Sequence, residues 1–75
     1  MNPNIMKSHR VRINKTQQEV ASFLNVTLRT FVAKENNPEK FTLKELEKLK
    51  DLYQLNSIDV LIYGFQVHKG THEAI

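Results

Sequence analysis

An all-α domain of five short helices is what this sequence predicts, and three observations carry that reading. Glycine and proline number two each in 75 residues, so few positions break a helix. No stretch alternates apolar and polar residues long enough to make a half-buried strand. Apolar residues recur instead at spacings of three and four, in short segments with start and stop signals between them. A chain of this length builds one core. At 40% hydrophobic and 25% charged residues it has an ordinary globular composition.

Each element has its own local grounds. The first helix begins after Asn2, with Pro3 at its first position, where a missing N–H costs nothing. Met6, His9 or Arg10, and Ile13 recur at helical spacing, and the helix is expected to stop near Asn14 and Lys15. Thr16-Gln17-Gln18-Glu19 is a capping box, in which the Thr hydroxyl accepts from a backbone N–H while Glu19 reaches back. Val20, Ala21 and Leu24 then share one face of a second helix over about residues 17–24. Asn25 follows, the best substitute for glycine in a left-handed turn. Thr27 caps a third helix over about residues 28–35, with Phe31 facing inward, and Asn36-Asn37-Pro38 ends it. Thr42-Leu43-Lys44-Glu45 is a second capping box, and Leu46, Leu49, Leu52 and Tyr53 continue an amphipathic fourth helix to about residue 54. Ser57 caps a fifth helix carrying Ile58, Leu61, Ile62 and Phe65, interrupted by Gly64. The domain is expected over residues 1–65. The tail, 66–75, has few apolar anchors and is expected to fray or to depend on a partner.

Several function classes find no support. Cysteine is absent, which removes disulfides, thiolate catalysis and Cys-ligated zinc. No P-loop or nucleophile-elbow pattern surrounds the Ser and Thr residues, so an enzyme is not expected. His68 and His72 are four apart, but only Glu73 could join them as a third ligand, and a surface tail is the favoured reading. His9 stands alone and is expected half-buried. No cofactor, metal or small-molecule pocket is expected. The longest apolar run, residues 60–63, is far short of the roughly 20 residues that span a bilayer. The first seven residues lack the apolar core of a signal peptide, so a cytoplasmic location is expected.

Charge is distributed unevenly. Residues 1–34 hold Lys7, Arg10, Arg12, Lys15, Arg29 and Lys34 against Glu19 alone, a balance of +5. Residues 35–75 hold five lysines against seven acids, a balance of −2. Basic charge gathered in one half is a footprint for a polyanion, nucleic acid being the commonest.

The informative stretch is residues 16–37. Two short helices are joined by a tight turn, small Ala21 lets them approach, Val26 plugs the turn and Phe31 closes the core behind. This is helix-turn-helix architecture. Thr16, Gln17, Val20, Ala21, Leu24, Asn25, Val26, Thr27, Phe31, Glu35 and Asn37, with the following Thr42-Leu43 and Leu46, Leu49, Leu52 and Leu55, resemble the phage repressor/Cro-type (XRE-like) helix-turn-helix DNA-binding domains over about residues 5–62. The resemblance implies a compact five-helix lambda-repressor-like fold. Five positions depart from the family pattern. Asn25 and Asn37 replace glycines at a modest strain cost. Lys34 stands where an aromatic or Leu is common, Lys50 where Ala is common, and His9 where Leu is common.

The resemblance also implies roles. The helix over about residues 27–35 enters the major groove, with Thr27, Leu28, Arg29, Val32 and Ala33 toward the bases. Arg29 is a bidentate partner for guanine or else a phosphate clamp, and Leu28 and Val32 suit thymine methyls or else join the core or a protein interface. Gln17, Asn36, Lys40, Lys15 and Arg10 take phosphate positions. Gln17 does so from a helix N-terminus, where the dipole favours an anion. Arg10 pairs with Glu35 in the other reading. The implied function is sequence-specific double-stranded DNA binding by a small bacterial or phage transcriptional regulator, such as a repressor. A homodimer on DNA is expected, with Ile58, Leu61, Ile62 and Phe65, or the tail, as its surface; those four residues are alternatively the closing wall of the core. The competing readings are a protein-interaction module on the same scaffold and the DNA-binding, antitoxin-like partner of another protein.

Overall fold

The computed structural model describes residues 1–65. Five α-helices follow one another: α1 (Pro3–Arg12), α2 (Gln17–Leu24), α3 (Leu28–Asn36), α4 (Leu43–Leu52) and α5 (Ile58–Tyr63). A single 3-10 turn, Pro38–Lys40, joins α3 to α4. No strand occurs among the described residues, and the chain is the small all-α domain expected. The tail and its two histidines lie outside the described residues.

The helix starts follow their caps. The Asn2 side chain accepts from the Asn4 N–H at 2.8 Å, with Pro3 at the first helical position. Both capping boxes are complete: Thr16 and Glu19 exchange bonds of 2.8 and 3.1 Å, and Thr42 and Glu45 bonds of 2.9 and 3.1 Å. Accepting the Thr16 N–H holds the Glu19 carboxyl below its ordinary range.

The helix ends are less uniform. Asn25 is left-handed at φ 61, as its position after α2 requires. Asn37 is not: at φ −139 it is extended, so no strain arises from its replacing a glycine. Pro38 ends α3 instead, by disfavouring the helical conformation of the residue before it. Two left-handed residues lie where none was expected, Asn14 at φ 57 after α1 and Gln54 at φ 60 after α4. α1 therefore closes at Arg12, two residues early, and α4 at Leu52. Gly64, at φ 82, closes α5 after Tyr63. Phe65 is thereby left outside the helix and exposed, not on its apolar face.

The core draws on every helix: Met6 from α1, Val20, Ala21 and Leu24 from α2, Phe31 from α3, Leu46 and Leu49 from α4, and Leu61 from α5. Phe41, in the connector after the 3-10 turn, is also buried, its ring 6.1 Å from that of Phe31. Leu61 has no exposed surface, and Ile58 and Ile62 pack on the core. Leu61 therefore belongs to the closing wall of the domain and is not a free dimer surface, while Ile58 and Ile62 pack on that wall and keep part of their surface. His9 is more buried than expected, with 7% of its surface exposed. Its Nε2 lies 3.2 Å from the carbonyls of both Val60 and Leu61, and its ring stacks on Tyr53. A leucine there would fill space; this histidine binds α1 to the last turn of α5.

Candidate nucleic-acid interface

α2 and α3 pack closely because nothing larger than a methyl stands between them at Ala21, which has no exposed surface. The turn is built on backbone bonds from Asn25 N–H to the Ser22 carbonyl at 3.1 Å and from Val26 N–H to the Ala21 carbonyl at 3.0 Å. Val26 lays its side chain against the core. Thr27 then caps α3, its hydroxyl accepting from the Thr30 N–H at 3.1 Å. Local chemistry thus yields two short helices at a fixed angle, with the second starting at the surface.

α3 has two distinct sides. Phe31 and Glu35 point inward and are 1% exposed. Thr27, Leu28, Arg29, Thr30, Ala33 and Asn36 are exposed, and Leu28 keeps 41% of its surface in solvent. Val32 is half-buried, yet it is not among the partly buried apolar side chains packed against the core. The five residues expected at the bases, Thr27, Leu28, Arg29, Val32 and Ala33, therefore all retain solvent-facing surface along α3. Arg29 has no hydrogen-bond or ion-pair partner among the described residues.

The expected phosphate contacts divide. Lys15, Asn36 and Lys40 are exposed. Arg10 is committed elsewhere. Its Nε donates to Glu35 at 2.8 Å, one terminal nitrogen donates to the other Glu35 oxygen at 3.3 Å, and the other reaches the Lys15 carbonyl at 3.0 Å. With 12% of its side chain exposed, Arg10 takes the ion-pair reading and is not a free phosphate ligand. Gln17 is also turned inward, its amide donating to Glu35 at 2.9 Å. What α2 leaves toward solvent at that point is backbone: the N–H groups of Gln17 and Gln18 have no partner among the described residues. Glu35 gathers donors from α1 and α2 onto α3 and so sets the angle at which α3 is presented.

Pairing also trims the charge asymmetry. Glu35 neutralises Arg10, and Glu45 takes Lys34, whose Nζ lies 2.8 Å from both its oxygens. Burial alone would raise the Glu45 carboxyl, but the Lys34 bond and the Thr42 N–H hold it below its ordinary range. Lys34 therefore ties α3 to α4 where an apolar residue would have packed. Arg12 caps the end of α4 at the Tyr53 carbonyl. Lys7, Lys15, Arg29, Lys40, Lys44 and Lys48 remain without a partner among the described residues, fewer basic groups in the first half than sequence counting implied. Sequence reasoning missed Phe41, because a lone phenylalanine in a connector carries no periodic signal; it read Pro38 as the stop of α3 but not as a buried side chain.

An open groove of about 530 Å³ lies between α4 and α5, lined by Glu47, Lys50, Asp51, Asn56, Ser57, Ile58 and Asp59. It shares no residue with α2 or α3. Among the described residues no three His, Cys, Asp or Glu side chains come together to hold a metal, and no helix is long and apolar enough to cross a membrane. No family model, no curated protein and no solved structure matches this chain, so its function has to be read from this geometry.

Proposed function

We propose that the protein is a sequence-specific double-stranded DNA-binding regulator of transcription, acting in the cytoplasm, that lays α3 in the major groove. The observation that carries the reading is the division of α3. Its inner side is locked to α1 and α2 through Phe31 and Glu35, while Leu28, Arg29, Val32 and Ala33 remain along its outer side. Exposed Lys15, Asn36 and Lys40 and the first N–H groups of α2, which have no partner among the described residues, support the reading as the groups that would meet phosphates. Those contacts give affinity and register, and Arg29 gives base preference. A homodimer completes the mechanism, because one such face supplies less than the roughly 4–10 kcal/mol that separates specific from non-specific binding.

Selection of bound duplexes from a random pool tests the proposal. A single motif should emerge, and affinity for it should fall steeply and log-linearly with salt. Arg29→Ala should cost about 1–3 kcal/mol on the selected site and relax one base pair. An equal loss on all sequences would make Arg29 a phosphate contact. A protein-interaction module is the second reading, favoured by the apolar residues Leu28, Val32 and Ala33 that keep solvent-facing surface on α3. Binding to a protein through that apolar face would persist at high salt. Co-purification of a stoichiometric partner would mark the antitoxin-like case.

A further inference from the structure

Resting on that major-groove reading, we infer that Gln17 is a positioning residue for DNA: its amide stays on Glu35 in the complex and holds the phosphate-facing start of α2 in register with α3. The family resemblance implies instead that this side chain reaches a phosphate. What separates the two is how Glu35 is satisfied. One Glu35 oxygen takes a 2.8 Å bond from Arg10 Nε. The other takes the 2.9 Å bond from the Gln17 amide and a longer one, 3.3 Å, from a terminal nitrogen of Arg10. The carboxylate is 1% exposed. If the amide swung out, one oxygen of a buried charge would keep only its weaker partner, in a place closed to bulk water. A surface phosphate is already hydrated, and a neutral amide adds only a modest net bond to it. The exchange runs uphill, so the amide stays in.

The same network holds the chain just before Gln17. Lys15 donates its N–H to the Arg10 carbonyl at 3.1 Å, and its own carbonyl accepts from a terminal nitrogen of Arg10 at 3.0 Å. Lys15 and Gln17 are thus both tied to the Arg10–Glu35 pair, and Glu35 belongs to the last turn of α3. This tied segment carries the Lys15 side chain and the free N–H groups of Gln17 and Gln18, which the proposed function assigns to phosphates. Specific binding needs those contacts and the base contacts of α3 to form together, and a segment set in advance makes both without a further ordering cost. Non-specific binding needs the phosphates alone and tolerates a loose register. Gln17 therefore acts on the difference between the two.

The experiment uses the full chain carrying Gln17→Met, which keeps the side-chain length and the backbone N–H but removes the amide donor. Binding is measured on the selected duplex and on an unrelated one, at a temperature where urea titration shows the variant folded. Gln17→Ala carries the same test if the thioether does not pack. The loss on the selected duplex should exceed the loss on the unrelated one about fivefold, equivalent to ~1 kcal/mol of coupling. Each phosphate of the selected duplex is then replaced in turn by an uncharged methylphosphonate. The resulting penalties should match between wild type and variant at every position, because the N–H groups are retained. An equal loss on both duplexes, or a penalty that disappears at one phosphate in the variant, makes the side chain a phosphate ligand and overturns the positioning role. Full specificity in the variant overturns it as well, leaving the DNA-binding reading in place. A wild-type chain that prefers no sequence overturns both.

Discussion

Glu35 is 1% exposed, and its two oxygens accept from Arg10 and Gln17, so α1, α2 and α3 meet at one carboxylate. Removing it strands a guanidinium that is itself mostly buried, and breaking such a pair costs about 3–5 kcal/mol. Glu35→Ala should show that loss in urea denaturation, together with weaker DNA binding as α3 loses its setting. Wild-type stability would mean that Arg10 swings out to water freely. His9 makes a different prediction. Burial foremost, with the nearby Arg12 adding to it, holds the imidazole below its ordinary pKa of 6.5, against the pull of the Val60 and Leu61 carbonyls. The neutral ring donates from Nε2 to those carbonyls, while the unfolded chain takes up a proton first as pH falls. The contribution is thus complete above about pH 6.5 and is lost as pH drops toward the folded-state pKa. Melting temperatures of wild type and His9→Leu should therefore differ by an amount that changes between pH 7.5 and 5.5, to the disadvantage of wild type at the acid end. A constant difference would mean that His9 does not titrate with folding.

At the level of elements, the local signals and the packing agree most closely in α2 and α3. Capping box, left-handed Asn25 and second N-cap all lie within a few residues of the bonds they make, which is why they were legible in sequence. Ala21 tests the close approach directly. Ala21→Leu forces a larger side chain into a junction with no free surface and should cost about 1–3 kcal/mol or more. An unchanged melting temperature would mean that α2 and α3 do not pack as described. The connector from α3 to α4 was illegible for the opposite reason. Phe41 is buried because a 3-10 turn carries it back beneath Phe31, and that turn has no periodicity to read. Lys34 was read as a mismatch because its partner, Glu45, is eleven residues away on another helix.

For the whole molecule, α5 cannot serve both as core wall and as dimer contact through the same atoms. Leu61 is spent on the core, so deleting α5 would unfold the domain rather than probe assembly. Tyr63 and Phe65 are the better candidates: their rings lie 6.3 Å apart, and they are 50% and 64% exposed. Replacing both by serine should leave the melting temperature close to wild type while lowering cooperative binding to a two-fold-related site. Sedimentation at matched concentrations, with footprinting, checks this. A single half-site protected at full affinity by a monomer would remove the dimer and leave α3 as the reading helix.

By itself the sequence determined the helices, their caps and the apolar core residues that lie on helices, with Phe41 in the connector missed and Phe65 misassigned, because the rest follow from hydrogen bonds and periodicity within a turn or two of chain. It also identified Glu35 as one of two possible partners for Arg10 and marked α3 as the helix with an outer face. Only the tertiary structure decided how long-range groups are spent. Arg10 and Gln17 close on Glu35, Lys34 closes on Glu45, His9 closes on the end of α5, and Leu61 vanishes into the core. Each of these pairs residues at least eleven positions apart, and no local rule sets such a distance. Burial then makes the choice, because a polar group removed from water must find a partner and will take the one that packing brings within reach.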